Sequence, residues 1–182
     1  VSIALTVDCP LKVVITKRDA LFSADRKHRL WLYREWDATK PVAAFIGFNP
    51  SIAGVEEDDP TIRKLVGFAS RFGCGSLFMV NPYSFIATRP KDLKAAGYPT
   101  GGLENDTTIL SAAKVAQESG GFVICCWGQL AKGLARPVEI ARRVSEDFIP
   151  LYTLGHNRDG SPAHPPMLAY GERTRPYRWS PA

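Results

Sequence analysis

Three short apolar runs, at residues 42–48, 76–80 and 122–127, are separated by longer stretches of helical period. Runs this short and this continuously apolar read as strands buried on both faces. That condition is met in parallel sheets, where crossover helices cover them. The intervening segments supply the helices. Asp59 is placed to cap one that begins at Pro60, where a missing backbone N–H does no harm. Ile62, Leu65, Val66, Ala69 and Phe72 then form one apolar face, and Gly73 ends it. Residues 104–118 read as a second helix with Ile109, Ala112, Ala113 and Ala116 inward, and a third is expected around residues 137–146. A fourth short strand follows at residues 149–154. The predicted fold class is therefore α/β: a three-layer α/β/α sandwich around a mostly parallel central sheet of about four strands.

Residues 27–36 alternate instead, with Leu30 and Leu32 opposed to Trp31 and Tyr33. This pattern predicts a half-buried strand, paired with residues 13–16 as an antiparallel N-terminal addition. Between the second and third runs lies a loop rich in turn formers, residues 84–102, with a turn or two of helix expected at 91–96. Its length hints at function, since structureless loops beyond ~15 residues are uncommon in compact domains.

At 182 residues the chain is expected to form one domain. It divides into an N-terminal extension (1–12), N-terminal strands (13–37), an α/β core (41–155) and a C-terminal loop with a basic, aromatic tail (156–182). The 45% hydrophobic and 23% charged composition is that of an ordinary globular protein. No apolar stretch approaches the ~20 residues that span a bilayer. The first residues lack the positive flank of a signal peptide, so the expected location is the cytoplasm and no membrane partner is expected. Cys9, Cys74, Cys125 and Cys126 form no C-x-x-C pair, which predicts reduced, buried thiols and no structural metal. No cofactor is expected. A net charge of +5 favours a phosphate-bearing partner, and the excess is concentrated in Asp25-Arg26-Lys27-His28-Arg29 and in the stretch from Arg173 to Trp179. Aromatics lie in or beside both stretches and are candidates to stack on bases; ordinary solvated surface is the alternative.

If the strands are parallel, four ends project toward one rim: Gly47-Phe48-Asn49-Pro50-Ser51, Asn81-Pro82-Tyr83, Trp127-Gly128-Gln129, and Leu154-Gly155-His156 leading to His164-Pro165. In open α/β sheets the carboxyl rim is where ligands bind. A polar side chain fixed there can position a water or a base.

Nearly the whole chain resembles an uncharacterised bacterial and phage domain family. The motifs that carry this likeness are Arg34-Glu35-Trp36-Asp37, Asn49-Pro50-Ser51, Asp58-Asp59-Pro60-Thr61, Trp127-Gly128, and Asp159-Gly160 followed by His164-Pro165. More remotely, the order of motifs is similar to the uracil-DNA glycosylase superfamily. Gly47, Asn49 and Pro50 match its Gly-x-Asn/Asp-Pro segment after the first core strand. Asn81 and Arg89-Pro90 fall in places corresponding to its second motif, and His164-Pro165 resembles the start of its last. The resemblance implies a uracil-DNA-glycosylase-like fold and a hydrolase that cleaves the N-glycosidic bond of a damaged or modified nucleobase, in DNA or in a nucleotide. It implies Asn49 and His164 as catalytic residues, one holding the attacking water and the other stabilising the departing base. Asn81 would hydrogen-bond the base, with Phe48 or Tyr83 stacking on it, while Ser51, Arg89, Met167 and Leu168 would contact nucleic acid. Ser51 and Pro166 depart from the superfamily's pattern.

Other readings of the same residues remain. Asn49-Pro50 and Asn81-Pro82 are also ordinary strand terminators. A rim that binds a nucleotide without turning it over is a second function class, and a divalent-metal enzyme built on Glu56, Glu57 and Asp58 is a third.

Overall fold

The computed structural model describes residues 13–52 and 54–179; the expected N-terminal extension, with Cys9, lies outside them. The elements in chain order are β1 (Lys17–Phe22), β2 (Arg29–Glu35), β3 (Val42–Ile46), α1 (Pro60–Arg71), β4 (Ser76–Val80), α2 (Pro90–Ala95), α3 (Gly102–Glu118), β5 (Val123–Cys125), α4 (Ala135–Glu146), β6 (Leu151–Thr153) and β7 (Arg175–Pro176). Single 3₁₀ turns occupy Gln129–Ala131 and Pro165–Met167. The strands form one mixed sheet in the order β1-β2-β4-β3-β5-β6-β7. Its centre, β4-β3-β5-β6, is parallel throughout. The expected four parallel strands are present, and β3 lies in the middle of them.

The two faces of this centre are buried by different helices. Ala43, Phe45, Leu77, Met79, Ile124 and Cys126 point toward Ile62, Leu65, Phe68 and Ala69 of α1. Ala44, Ile46, Val80, Val123 and Cys125 point toward Ile109, Ala112, Ala113 and Ala116 of α3 and Ile140, Ala141 and Val144 of α4. This is why the runs are apolar at every position: alternate residues serve opposite helices. Each fully buried Phe, Leu or Ile contributes about 1.5–3 kcal/mol through area removed from water. α1 follows the sequence closely, with Asp59 Oδ1 accepting from the Ile62 backbone N–H at 2.8 Å and Pro60 in its first turn. Phe68 is fully buried on that helix while Phe72 is only half-buried, an exchange of neighbouring phases that the expected face did not contain.

Two expectations about the sheet edges are corrected. The partner of β2 is β1, the segment just before the turn, in the register Asp19↔Tyr33 and Lys17↔Glu35. Residues 13–16 only extend that edge, through Thr16 N–H to the Glu35 carbonyl at 2.8 Å. A short hairpin closes at less entropic cost than a longer excursion, and Lys17–Phe22 alternates as well as residues 13–16 do. The C-terminal segment, expected as a loop and tail, instead adds a strand: β7 pairs antiparallel with β6, and Tyr177 sits edge-on against Trp127 at 5.5 Å.

Arg29, counted with the exposed basic stretch, is 2% exposed. Burial lowers its pKa to about 10, opposed by the charge of Asp59 and reinforced by that of Arg34. His28 from the same stretch lies against Phe85, with Nδ1 2.7 Å from Ser84 Oγ. Cys74, Cys125 and Cys126 are free and buried, and desolvation raises all three thiols, Cys74 to about 11. No described helix is long and apolar enough to cross a membrane.

Candidate functional site

Parallel order brings the ends of β3, β4 and β5 side by side at the carboxyl rim. Cys126 N–H donates to the Ile46 carbonyl at 2.9 Å and Gly47 N–H to the Val80 carbonyl at 2.9 Å, carrying the ladder past the regular strands. Just beyond it stands Asn81, fully buried, with neither the Nδ2 nor the Oδ1 of its amide hydrogen-bonded. A buried, unpartnered amide costs about 1–3 kcal/mol, so native proteins rarely keep one without a use.

The neighbours of that amide are defined by Gly47. A Cβ added at Gly47 would lie 2.8 Å from Asn81 Oδ1 and 2.2 Å from Met79 Cε. Glycine therefore lets the Asn81 amide and the Met79 thioether close over the end of β3. Asn105, from the first turn of α3, holds the backbone behind it: its Nδ2 donates to the Asn81 carbonyl at 2.9 Å, and its own Oδ1 is buried without a partner.

Two residues past Gly47, half-buried Asn49 uses both N–H groups of its amide on carbonyls, Pro50 at 2.9 Å and Ala87 at 2.7 Å. These bonds tie the end of β3 to the long loop after β4 and fix which way the amide faces. What Asn49 can offer a ligand is its carbonyl oxygen, an acceptor suited to a water.

His164 stands over the end of β5. A Cβ at Gly128, which has φ of +74°, would come within 3.0 Å of the His164 Cβ, so glycine there serves both the backbone and the imidazole above it. Nδ1 of His164 lies 3.5 Å from the Cys126 carbonyl. The residue is exposed as a whole, yet desolvation of the ring lowers its pKa below 6.5, opposed by the bond to Cys126 and by the charge of Asp59. Asp59 thus acts on His164 and Arg29 alike while capping α1.

The remaining residues singled out in the sequence are distributed as follows. Phe48 and Tyr83 are buried edge to face at 5.3 Å, Tyr83 continues onto Tyr98, and both belong to the core under α3, whereas Met79, beside the Asn81 amide, belongs to the core under α1. Ser51 is half-buried in the loop after Asn49. Arg89 is exposed and its guanidinium pairs with Asp92 at 2.7 Å in the first turn of α2. Met167 is 84% exposed at the tip of the Pro165–Met167 turn, while half-buried Leu168 packs against the α1 core. Asp58 pairs with Arg18 and Arg34, and among the described residues no group of three His, Cys, Asp or Glu side chains could hold a metal ion. A metal site on Glu56, Glu57 and Asp58 therefore has no support in the geometry.

Sequence reasoning missed three partners. Asn105 lies four residues before Ile109, on the apolar stripe of α3, and a polar residue in that phase was the available signal. Arg29 was read as surface because its neighbours are charged. Asp106 is gripped by Arg136 and Arg143, which join α3 to α4, and nothing local marks that pairing.

Fold and site together define an α/β protein whose parallel strands present a buried Asn amide, a second Asn and an imidazole at their carboxyl rim. The chain belongs to the family described as Protein of unknown function (DUF1643), whose model matches residues 29–166, from β2 to the turn that carries His164. No curated protein matches the chain. No solved structure matches it either.

Proposed function

We propose that this protein is a glycosylase-like hydrolase that breaks the N-glycosidic bond of a nucleobase, in DNA or in a nucleotide. The observation that carries the reading is the Asn81 amide, fully buried at the rim with donor and acceptor both unspent. Such a pair complements a heterocycle edge that offers one acceptor beside one donor, and because the amide is sealed in this structure the cover over it has to move to admit the base. Asn49 supplies an acceptor for the attacking water. An uncharged amide suffices there, because a bond that breaks through an oxocarbenium-like sugar needs an oriented water more than an activated one. His164 supplies charge stabilisation to the departing base. Its Nδ1 faces a carbonyl, which can only accept, so Nδ1 carries a proton and Nε2 donates only when the ring is protonated.

Helices on both faces of a four-stranded parallel centre agree with the sandwich that the resemblance to the uracil-DNA glycosylase superfamily implies. Met167, which is exposed, would act as the wedge if the base is flipped from a duplex, a step that costs a few kcal/mol and least for a damaged base. Net charge of +5 suits a phosphate-bearing substrate.

The test is incubation with duplexes and nucleotides carrying uracil, hypoxanthine, oxidised or hypermodified bases, with chromatography of the released base. Release that disappears in Asn49→Ala and Asn81→Ala supports the assignment. A folded protein that releases no base from any of them sinks it; salt-dependent binding without release would then assign the rim to a non-catalytic nucleotide-binding module.

A further inference from the structure

Across three strands, Asp19, Tyr33 and Phe78 are direct register partners, and the same row continues to Ala44 beneath α3. Small residues of α3 close over Ala44, but the row then runs out from under the helix. What emerges is an aromatic floor. Phe78 meets Tyr33 with centroids 4.7 Å apart and Trp31 edge-on at 5.8 Å, and all three are half-buried. Ser111 of α3 lines one wall, and Lys17 and Asp19 of β1 stand at the opposite margin. The cleft has a volume of about 520 Å³, within the range of small-molecule sites. Val42, which opens β3, also lines it, so it lies at the amino end of the parallel strands, away from the rim of Asn49 and Asn81.

We propose that this cleft is a second binding site, for an uncharged flat heteroaromatic ligand of nucleoside type. Aromatic faces bind any flat ring by stacking. The charged lining residues are one lysine and one aspartate, which cancel, so the cleft has no net attraction for a phosphate or an ammonium group. Lys17 is further occupied by the Tyr33 ring, 5.7 Å from its centroid. The Ser111 hydroxyl and the Asp19 carboxylate offer hydrogen bonds to the ring edges or sugar of a neutral ligand. The assignment is independent of the proposed rim chemistry.

The full chain is titrated calorimetrically with adenosine and with adenosine monophosphate. Adenosine is expected to bind saturably, one per chain, and more tightly than its phosphate ester. Trp31→Ala removes part of the floor and should weaken binding about tenfold or more. Ser111→Trp fills the cleft from an exposed helix position, leaves the circular dichroism spectrum unchanged, and should abolish binding even if Trp31→Ala fails to fold. Asn81→Leu should leave the affinity unchanged. Absence of saturable binding overturns the assignment, as does undiminished binding in Ser111→Trp or a tighter binding of the monophosphate that Ser111→Trp abolishes. Loss of binding in Asn81→Leu would place the ligand at the rim instead, and a dimer that Ser111→Trp dissociates would make the cleft an interface between copies; either result overturns it.

Discussion

The guanidinium of Arg34, fully buried in β2, lies 2.7 Å from Asp58 Oδ1 in the loop before α1. Two motifs of the sequence thus meet as one ion pair, and Arg34 spends its other donors on the Tyr33 and Gly54 carbonyls at 2.7 Å. Removing one partner of a buried pair leaves the other charged and uncompensated. Asp58→Ala should therefore destabilise the fold by about 3 kcal/mol or more, read from denaturant unfolding. A change within error would mean that the carbonyls alone satisfy Arg34.

Asn81 sets function against stability. Its amide is buried without partners, so Asn81→Leu, which fills the same space without polar atoms, should stabilise the protein by about 1 kcal/mol while abolishing base release. Thermal melts and turnover on one preparation check both halves. A less stable Asn81→Leu protein would show that the amide is satisfied in the native state.

Gly47→Ala puts a methyl where Met79 Cε and Asn81 Oδ1 now lie. The end of Met79 is flexible and can yield; the amide, fixed close to its backbone, can yield only by turning. Overpacking of this kind costs about 1–3 kcal/mol. The larger effect should fall on substrate affinity, with a KM that rises while the unfolding midpoint moves modestly. Unaltered kinetics in a folded Gly47→Ala protein would remove Asn81 from the site.

His164 gives two pH dependences of opposite sign. Its folded pKa lies below 6.5 because the ring is desolvated, so the unfolded chain binds the proton first. Its contribution to stability is full above 6.5 and is lost as pH falls through the window down to the folded pKa. Base release that needs the imidazolium should instead rise as pH falls through that folded pKa, by a factor of about 10²–10⁴ for a single proton donor of this kind. His164→Gln should flatten both profiles. A rate that falls toward acid pH would assign the neutral ring as the working form.

The elements were largely legible in the sequence because their signals are local. Period-3.6 spacing of Ile62, Leu65, Val66 and Ala69, with Asp59 and Pro60 ahead of them, gave α1 to within a residue or two. The three apolar runs became β3, β4 and β5, and the polar rim followed once they were parallel. β7 escaped notice because a two-residue edge strand containing a proline has no pattern to detect. Arg29 and the phase of Phe68 escaped because charge and apolarity there are outweighed by which neighbour covers the position.

Sequence by itself determined the long helices, β2 and the four central strands, and that Gly47, Asn49, Asn81 and Gly128 stand at strand ends. Those are properties of residues close together along the chain. Only the tertiary structure decided that Asn105 would hold the Asn81 backbone, that Asp59 would act on His164, and that Asp58 would neutralise Arg34. Each of those pairings depends on which strand lies beside which and which helix covers them, and hydrogen bonds and charges act through space rather than along the sequence.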